Sequence, residues 1–103
     1  MFSFSTEEIS EHLEVKLEGD LDIEGTEVVE ENLMPIMEKH SSVSVDFARV
    51  QFIDSSGMGL LLTLVKTLHE KEIIVTIKDV REDVMEVFEL LQIPEILGEG
   101  VFV

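Results

Sequence analysis

The chain has 103 residues, which suits one folded domain with its own hydrophobic core. It contains no cysteine, and this excludes disulfides, iron–sulfur clusters and thiolate zinc sites. Its formal net charge of -16 argues against direct binding to nucleic acid or to anionic lipid, because phosphate groups would be repelled.

The beginning of the chain shows neither the basic start nor the apolar run of a secretory signal. The longest apolar stretches, residues 58–65 and 73–77, are too short to span a bilayer. We therefore expect a cytoplasmic protein with no membrane insertion.

The first half of the chain predicts two strands and then a helix. Apolar and polar residues alternate over residues 2–5 and 13–17, as in half-exposed strands, and the short connection favours antiparallel pairing. A turn is expected at Gly19–Asp22. Apolar residues then fall at helical spacing from Thr26 to His40, with Thr26 as the predicted N-cap. Pro35 lies inside this pattern and is expected to kink or split the helix.

The second half alternates strands with helices. Residues 43–53 predict a third strand that leads into a turn, and a helix that is apolar on most sides follows over residues 57–69. The β-branched run at residues 73–77 predicts a central strand covered on both faces. A helix from about residue 83 to Pro94 and a short last strand at residues 101–103 complete the order. The predicted inward face of that last helix consists of Val84, Val87, Phe88 and Leu91.

This order of elements predicts an α/β fold, in which a single domain contains a mixed four- or five-stranded sheet flanked by helices. Sites in open α/β sheets lie beyond the carboxyl ends of the strands. The stretch that joins the third strand to the buried helix, Asp54-Ser55-Ser56-Gly57, lies at such an end. It is therefore the first place to look for function.

Ser56 is the predicted N-cap of the buried helix, and Ser55 is free to point outward. A phosphate on Ser55 would face the positive end of the helix but would also lie beside Asp54. The bare loop would then bind a partner, and the charged loop would repel it. From spacing alone, a turn made only of capping residues is the better explanation, because Asp-Ser-Ser-Gly is a common kind of turn.

Catalytic and metal sites find no support in the sequence. No spacing brings His12, His40 or His69 to the serines, and residues 54–59 lack the Gly-x-Ser-x-Gly elbow of a serine hydrolase. The glycines at 57 and 59 belong to no nucleotide-binding motif, and the acidic pairs lack the spacing of a calcium loop. We therefore predict no catalytic residue, no metal site and no cofactor.

Three segments, taken in order, resemble the STAS-domain family of bacterial anti-sigma factor antagonists. Residues 45–60, Val-Asp-Phe-Ala-Arg-Val-Gln-Phe-Ile-Asp-Ser-Ser-Gly-Met-Gly-Leu, are similar to the family signature. Residues 17–22, Leu-Glu-Gly-Asp-Leu-Asp, resemble its second strand and the turn after it, and residues 84–93 resemble a later helix. The resemblance covers nearly the whole chain and implies one STAS domain over residues 1–103.

The resemblance implies a regulatory protein without catalytic activity. Carried over to this sequence, Ser55 is the serine phosphorylated by a partner that is both an anti-sigma factor and a serine kinase. The unphosphorylated form binds that partner and frees a sigma factor, and a PP2C-type phosphatase restores it. The partner-binding residues implied in this way are Asp20, Asp22, Asp54, Ser55, Ser56, Gly57 and Met58.

Three features depart from the family pattern. Thr26 lies one residue further from Asp22 than the family's threonine usually does. Pro35 stands in the first helix, and Val103 is reached where family members usually continue into a final helix. From the lack of that helix we expect exposed apolar surface, which would favour a docked partner or a homodimer. Two other functions stay open: a STAS scaffold or assembly subunit of a transporter or stress-signalling complex that is never phosphorylated, and a small-molecule or nucleotide sensor that uses the same loop.

Overall fold

The computed structural model describes residues 2–98 and 100–103. Its strands are β1 (Ser3–Ile9), β2 (His12–Leu21), β3 (Ser42–Ile53) and β4 (Ile74–Lys78). Its helices are α1 (Ile23–Val28), α2 (Met34–Met37), α3 (Ser55–Glu70), α4 (Glu82–Leu90) and α5 (Ile93–Leu97), and a π-helical segment (Val29–Leu33) joins α1 to α2.

The four strands form one sheet in the order β1-β2-β3-β4. β1 and β2 pair antiparallel, whereas β2, β3 and β4 run parallel to one another. Helices connect the parallel strands, because each parallel strand starts at the opposite edge of the sheet from the end of the strand before it. The predicted α/β fold with a mixed sheet and flanking helices is confirmed.

The helices cover one face of the sheet. The side chains on this face are buried, whereas those on the other face are mostly polar and are partly or fully exposed. Alternation along each strand separates the two faces. The buried cross-strand rows are Leu13–Val43–Val75 and Val15–Val45–Ile77, and the polar rows on the open face are Glu14–Ser44–Thr76 and Lys16–Asp46–Lys78. The core therefore lies between one sheet face and the helices.

The prediction that residues 73–77 form a central strand covered on both faces is wrong. β4 is the last strand in the sheet order, and Ile74 is 67% exposed. Among the residues that the structure describes, a single parallel bridge between Ile77 and Phe102 lies next to β4, where the sequence predicted a short last strand. The β-branched run was misleading because such residues also suit a strand that is covered on a single face.

β2 also differs from the prediction, since it continues to Leu21 where a turn was expected at Gly19–Asp22. Its pairing with β3 shifts register between Gly19 and Asp20, and Gly19 has a φ of 108°, which a residue without a side chain adopts easily. The bulge lets the strand bend without ending. This extension carries Leu21 into register with Ile53, the last residue of β3.

The interruption predicted at Pro35 is present in the first helical segment. α1 gives way to the π-helical turn, and Pro35 then lies in the first turn of α2, where its missing N–H is tolerated. Val29, Leu33 and Met37 remain buried through these changes. The segment therefore keeps one apolar face toward the core despite its irregular winding.

α4 buries fewer residues than its sequence predicts. Val84 and Phe88 face the core, but Val87 is 40% exposed and Leu91 is 51% exposed. Phe88 packs edge-on against Phe47 of β3, with ring centroids 6.2 Å apart. After α4, Gln92 adopts a left-handed conformation and the short helix α5, which was not predicted, begins with Pro94 in its first turn.

No helix within residues 2–98 and 100–103 has the length and apolar character needed to cross a bilayer. In the same part of the chain, no three His, Asp or Glu side chains come together as a group that could hold a metal ion.

Candidate functional site

Two parallel strands end side by side and are each followed by an aspartate that begins a helix. Leu21 and Ile53 are register partners at the carboxyl ends of β2 and β3. Asp22 follows the first and Asp54 the second, and both have extended backbone conformations. The sequence repeats the pattern Asp-x-x-Gly at both places. This edge of the sheet therefore presents two neighbouring helix starts.

Asp54 is the N-cap of α3. Its Oδ1 accepts a hydrogen bond from the Gly57 N–H at 3.0 Å, and its carbonyl oxygen accepts one from the Met58 N–H at 2.9 Å. The prediction that Ser56 caps this helix is therefore wrong, since Ser56 lies within its first turn. Aspartate satisfies the free N–H groups of a first turn as well as serine does, and its charge also favours the positive helix end.

Asp22 has the same role for α1. Its Oδ1 accepts from the Gly25 N–H at 3.1 Å, and its carbonyl oxygen accepts from the Thr26 N–H at 2.9 Å. Thr26 is thus not the predicted N-cap. It is buried within the first turn, where its hydroxyl donates to the carbonyl oxygen of Ile23 at 2.7 Å. The repeated Asp-x-x-Gly spacing is the signal in the sequence that predicts both caps correctly.

Gly57 brings the start of α3 against the end of β2. A Cβ at this position would overlap the carbonyl oxygen of Leu21 and would lie 2.6 Å from Cγ1 of Ile53. The same Leu21 oxygen accepts a hydrogen bond from the Asp54 N–H at 3.4 Å. The position of the loop is therefore set by the strand beneath it.

The predicted site residues separate into a surface group and a buried group. Ser55 and Asp20 are exposed, and Asp22, Asp54 and Ser56 are partly exposed. Gly57 and Met58, in contrast, are buried, and Met58 is part of the hydrophobic core. The geometry therefore brings the two aspartate turns together at one edge, with Ser55 outward and Met58 beneath it.

Two exposed apolar residues belong to the same edge and were not among the predicted site residues. Phe52 is 52% exposed and is the register partner of Asp20, and Ile23 is 62% exposed at the first position of α1. Ile23 and Ser55 hold equivalent places, each two residues beyond the paired strand ends. For Ile23, the sequence offered a signal in the large apolar side chain that directly follows the capping Asp22.

All charged side chains in the two aspartate turns are negative. Asp20, Asp22, Glu24 and Asp54 lie within a few residues of Ser55 or of its counterpart Ile23, and the two turns contain no lysine or arginine.

A carboxylate with a clearly shifted pKa lies elsewhere, on the open face of the sheet. Glu14 accepts from Lys78 Nζ at 2.9 Å and contacts His12 Nε2 at 2.7 Å, and these bonds lower the pKa of Glu14 to about 2.

Several known proteins are similar to this chain. The STAS domain family model matches residues 3–102. An anti-sigma-B factor antagonist from Staphylococcus epidermidis is 29% identical over 85 residues, which cover 82% of this chain and 79% of the relative. The solved structure of the anti-sigma factor antagonist SpoIIAA in its unphosphorylated form has a TM-score of 0.77 at 20% identity, covering 98% of this chain and 86% of that one.

The structure of the Bacillus cell fate determinant SpoIIAA in the phosphorylated form is also similar, with a TM-score of 0.73 and 20% identity over 98% of this chain and 89% of that one. These two structures support the fold, and the family model supports membership because it spans nearly every residue. The relatives agree with the sequence-based prediction of a regulatory protein rather than an enzyme. The chain belongs to the STAS-domain family.

Proposed function

We propose that this chain is a cytoplasmic anti-sigma factor antagonist whose binding is switched by phosphorylation of Ser55. In this proposal the unphosphorylated chain binds an anti-sigma factor that is also a serine kinase, and a bound sigma factor is released. A PP2C-type phosphatase reverses the modification. The observation that carries the proposal is the exposed Ser55 at the first position of α3, beside two helix-capping aspartates.

The relatives support the regulatory part of this proposal. The most similar curated protein reported above is an anti-sigma-B factor antagonist, and it aligns with 82% of this chain. SpoIIAA, which shares the fold, has been solved in unphosphorylated and phosphorylated forms. The modification of this chain and the identity of its kinase remain parts of the proposal.

In the proposed phosphoryl transfer, this chain contributes only an accessible hydroxyl group. Ser55 Oγ attacks the γ-phosphorus of ATP bound by the partner, an O–P bond forms, and the bond to ADP breaks. A base of the kinase takes the hydroxyl proton. The phosphatase then uses water to release inorganic phosphate and regenerate the hydroxyl. The exposure of Ser55 supports this role, since a kinase needs access to Oγ.

Phosphorylation here would change binding more than folding. The phosphate adds about −1.5 to −2 charges at pH 7 beside Asp54 and close to Asp22. The N–H groups of Ser55 and Ser56 have no acceptor within the helix, and the positive helix end partly offsets the added charge. Helix α3 therefore tolerates the phosphate, while a partner surface complementary to the bare, already acidic loop loses its fit.

Exposed apolar residues beside Ser55 would supply contact area for the partner. Ile23 and Phe52 each add exposed apolar area to this edge of the sheet, which also carries Asp20, Asp22 and Asp54. Interfaces obtain most of their binding energy from a few such anchors, and aromatic residues are among the commonest. We therefore place Ile23 and Phe52 with Asp20, Asp22 and Ser55 on the proposed binding surface.

The experiment is incubation with ATP and an anti-sigma factor serine kinase from the same organism, followed by mass spectrometry of the intact chain and of its peptides. The proposal expects one phosphate, on Ser55, and none in Ser55→Ala. Ser56→Ala is the matched control, because it removes the adjacent hydroxyl, and it should be phosphorylated normally. Phosphate on another residue, or undiminished transfer to Ser55→Ala, would contradict the proposal.

A further inference from the structure

The outer side of α4 is apolar although nothing in the described part of the chain covers it. Leu90 is 80% exposed, Leu91 is 51% exposed and Val87 is 40% exposed. Val87 is separated from the two leucines by three and four positions, so all three share one side of the helix. The core side of α4 is filled independently by Val84 and Phe88. The helix therefore presents a second apolar strip that does not contribute to the core.

α5 extends this apolar surface. Ile96 is 63% exposed, and it also lines a groove of about 430 Å³ between α5 and α3. Leu62 and Leu97 contribute to the walls of this groove, and Lys66, His69 and Glu70 of α3 also line it. A concave apolar groove beside an exposed strip can receive an apolar side chain of a partner. Single exposed apolar residues need no explanation, but a cluster of this kind does.

The charges around this surface select the kind of partner. On α4, Glu86 directly precedes Val87 and Glu89 directly precedes Leu90, and on α5 Glu95 precedes Ile96; all three glutamates are exposed. Residues 82–103 contain no lysine, arginine or histidine. A complementary surface must therefore combine apolar side chains with lysine or arginine. An amphipathic helix with basic residues along the borders of its apolar side has this composition.

A second copy of this chain is the less favourable occupant. Each copy has a formal net charge of -16, and symmetric pairing through α4 would bring Glu86 and Glu89 of both copies together. Like charges across an interface disfavour association. The charge of the protein thus argues for a basic partner rather than for self-association.

The surface is also separate from the Ser55 loop. α4 starts after the carboxyl end of β4, which is parallel to β3, so that Glu82 lies toward the same sheet edge as Ser55. The helix then runs back along the sheet for nine residues, a rise of about 13 Å. Leu90 and Leu91 therefore lie toward the opposite edge, where a second partner has room to bind.

We propose that Val87, Leu90, Leu91 and Ile96 form a docking surface for a basic amphipathic helix of a partner protein. This proposal does not depend on the phosphorylation of Ser55. It assigns the exposed strip of α4 and α5 to a second interaction, so that the chain has one surface for a switched contact and another for a contact that phosphorylation leaves unchanged.

The test uses the full chain, labelled with ¹⁵N, and a synthetic helical peptide with leucine on one side and lysine on the other. The peptide should shift the amide signals of residues 86–97 in a saturable way. Leu90→Ser should weaken its affinity about tenfold or more, as expected for the loss of a buried anchor. Ile74→Ser is the matched control, because Ile74 is 67% exposed but lies on β4, and it should bind the peptide like the parent chain.

Three outcomes would overturn the proposal. If the shifts spread over the acidic surface and Leu90→Ser has no effect, the attraction is only electrostatic. If a peptide with glutamate in place of lysine binds equally well, charge does not select the partner. If sedimentation shows a dimer that Leu90→Ser converts to a monomer, a second copy of the chain occupies the strip.

Discussion

Gly57 lies so close to the carbonyl oxygen of Leu21 that a side chain at position 57 would overlap it. The contact joins the first turn of α3 to the last residue of β2. Because Leu21 is the register partner of Ile53, the two aspartate turns that follow these residues are held at a fixed separation. The position of Ser55 relative to Asp22 therefore depends on the absence of a side chain at position 57.

Gly57→Ala should destabilise the fold by about 2–3 kcal/mol, the cost of forcing an added methyl group into a packed region. The new Cβ meets backbone as well as the Ile53 side chain, so no simple change of rotamer relieves the overlap. Urea unfolding followed by circular dichroism measures the loss as a lower midpoint with an unchanged slope.

Gly59→Ala is the matched control for this substitution. Gly59 lies in the same helix, is exposed, and has nothing within 4 Å of the position of a Cβ. Alanine at this position should stabilise the protein by about 0.5–1 kcal/mol, because alanine is more favourable than glycine in the interior of a helix. Equal effects of the two substitutions would show that helix propensity alone, and not the contact with Leu21, determines the cost at position 57.

Replacement of the two capping aspartates should cost similar amounts of stability. Asp54→Ala and Asp22→Ala each remove the acceptor for one first-turn N–H, a loss of about 1 kcal/mol. Ser56→Ala should change the free energy of unfolding by less than about 0.5 kcal/mol, because Ser56 is not the N-cap. If Ser56→Ala lost more stability than Asp54→Ala, Ser56 would be the N-cap, as the sequence predicted.

The open sheet face predicts a specific dependence of stability on pH. The hydrogen bond from Lys78, and then the one from His12, lower the pKa of Glu14 from 4.5 to about 2. A pKa lowered by folding means that the ionised group stabilises the folded state above the unfolded pKa. This contribution is complete above about pH 4.5 and disappears as the pH falls through about 2.

Thermal unfolding of Glu14→Gln between neutral pH and about pH 2 tests this contribution. The variant should be less stable than the parent chain at neutral pH, and its stability should fall less steeply in the acid range. Glu31→Gln is a suitable control, because Glu31 is exposed and forms no ion pair among the described residues. The account of this network is wrong if Glu14→Gln keeps the full acid dependence of the parent chain.

The sequence predicted most elements because their periodicity is determined by burial on one face. β2 and β3 alternate apolar and polar residues, and α3 contains apolar residues on most of its sides, so their types were evident. Pro35 also had its expected effect, since no proline N–H is available to continue an α-helix. Local pattern and tertiary burial agree at these places.

The errors concern features that depend on neighbours distant in the sequence. Ile74 was expected in the core, but it lies in the row His12–Ser42–Ile74 on the open face of the sheet. Leu91 was expected to face inward, but it is 51% exposed. The N-cap of α3 was assigned to Ser56 because serine and aspartate have similar preferences for that position. Asp54 is nevertheless the cap, because its Oδ1 accepts from the Gly57 N–H, and it repeats the arrangement of Asp22 at the end of the neighbouring strand.

The proposed switch at Ser55 is tested most directly by calorimetry of Ser55→Asp and Ser55→Ala with the anti-sigma kinase that phosphorylates the parent chain, in the presence of nucleotide. The account predicts that Ser55→Ala binds like the parent chain and that Ser55→Asp binds at least about tenfold more weakly, with both variants folded. Equal binding of Ser55→Asp and the parent chain would contradict it and would favour a STAS scaffold that phosphorylation does not regulate.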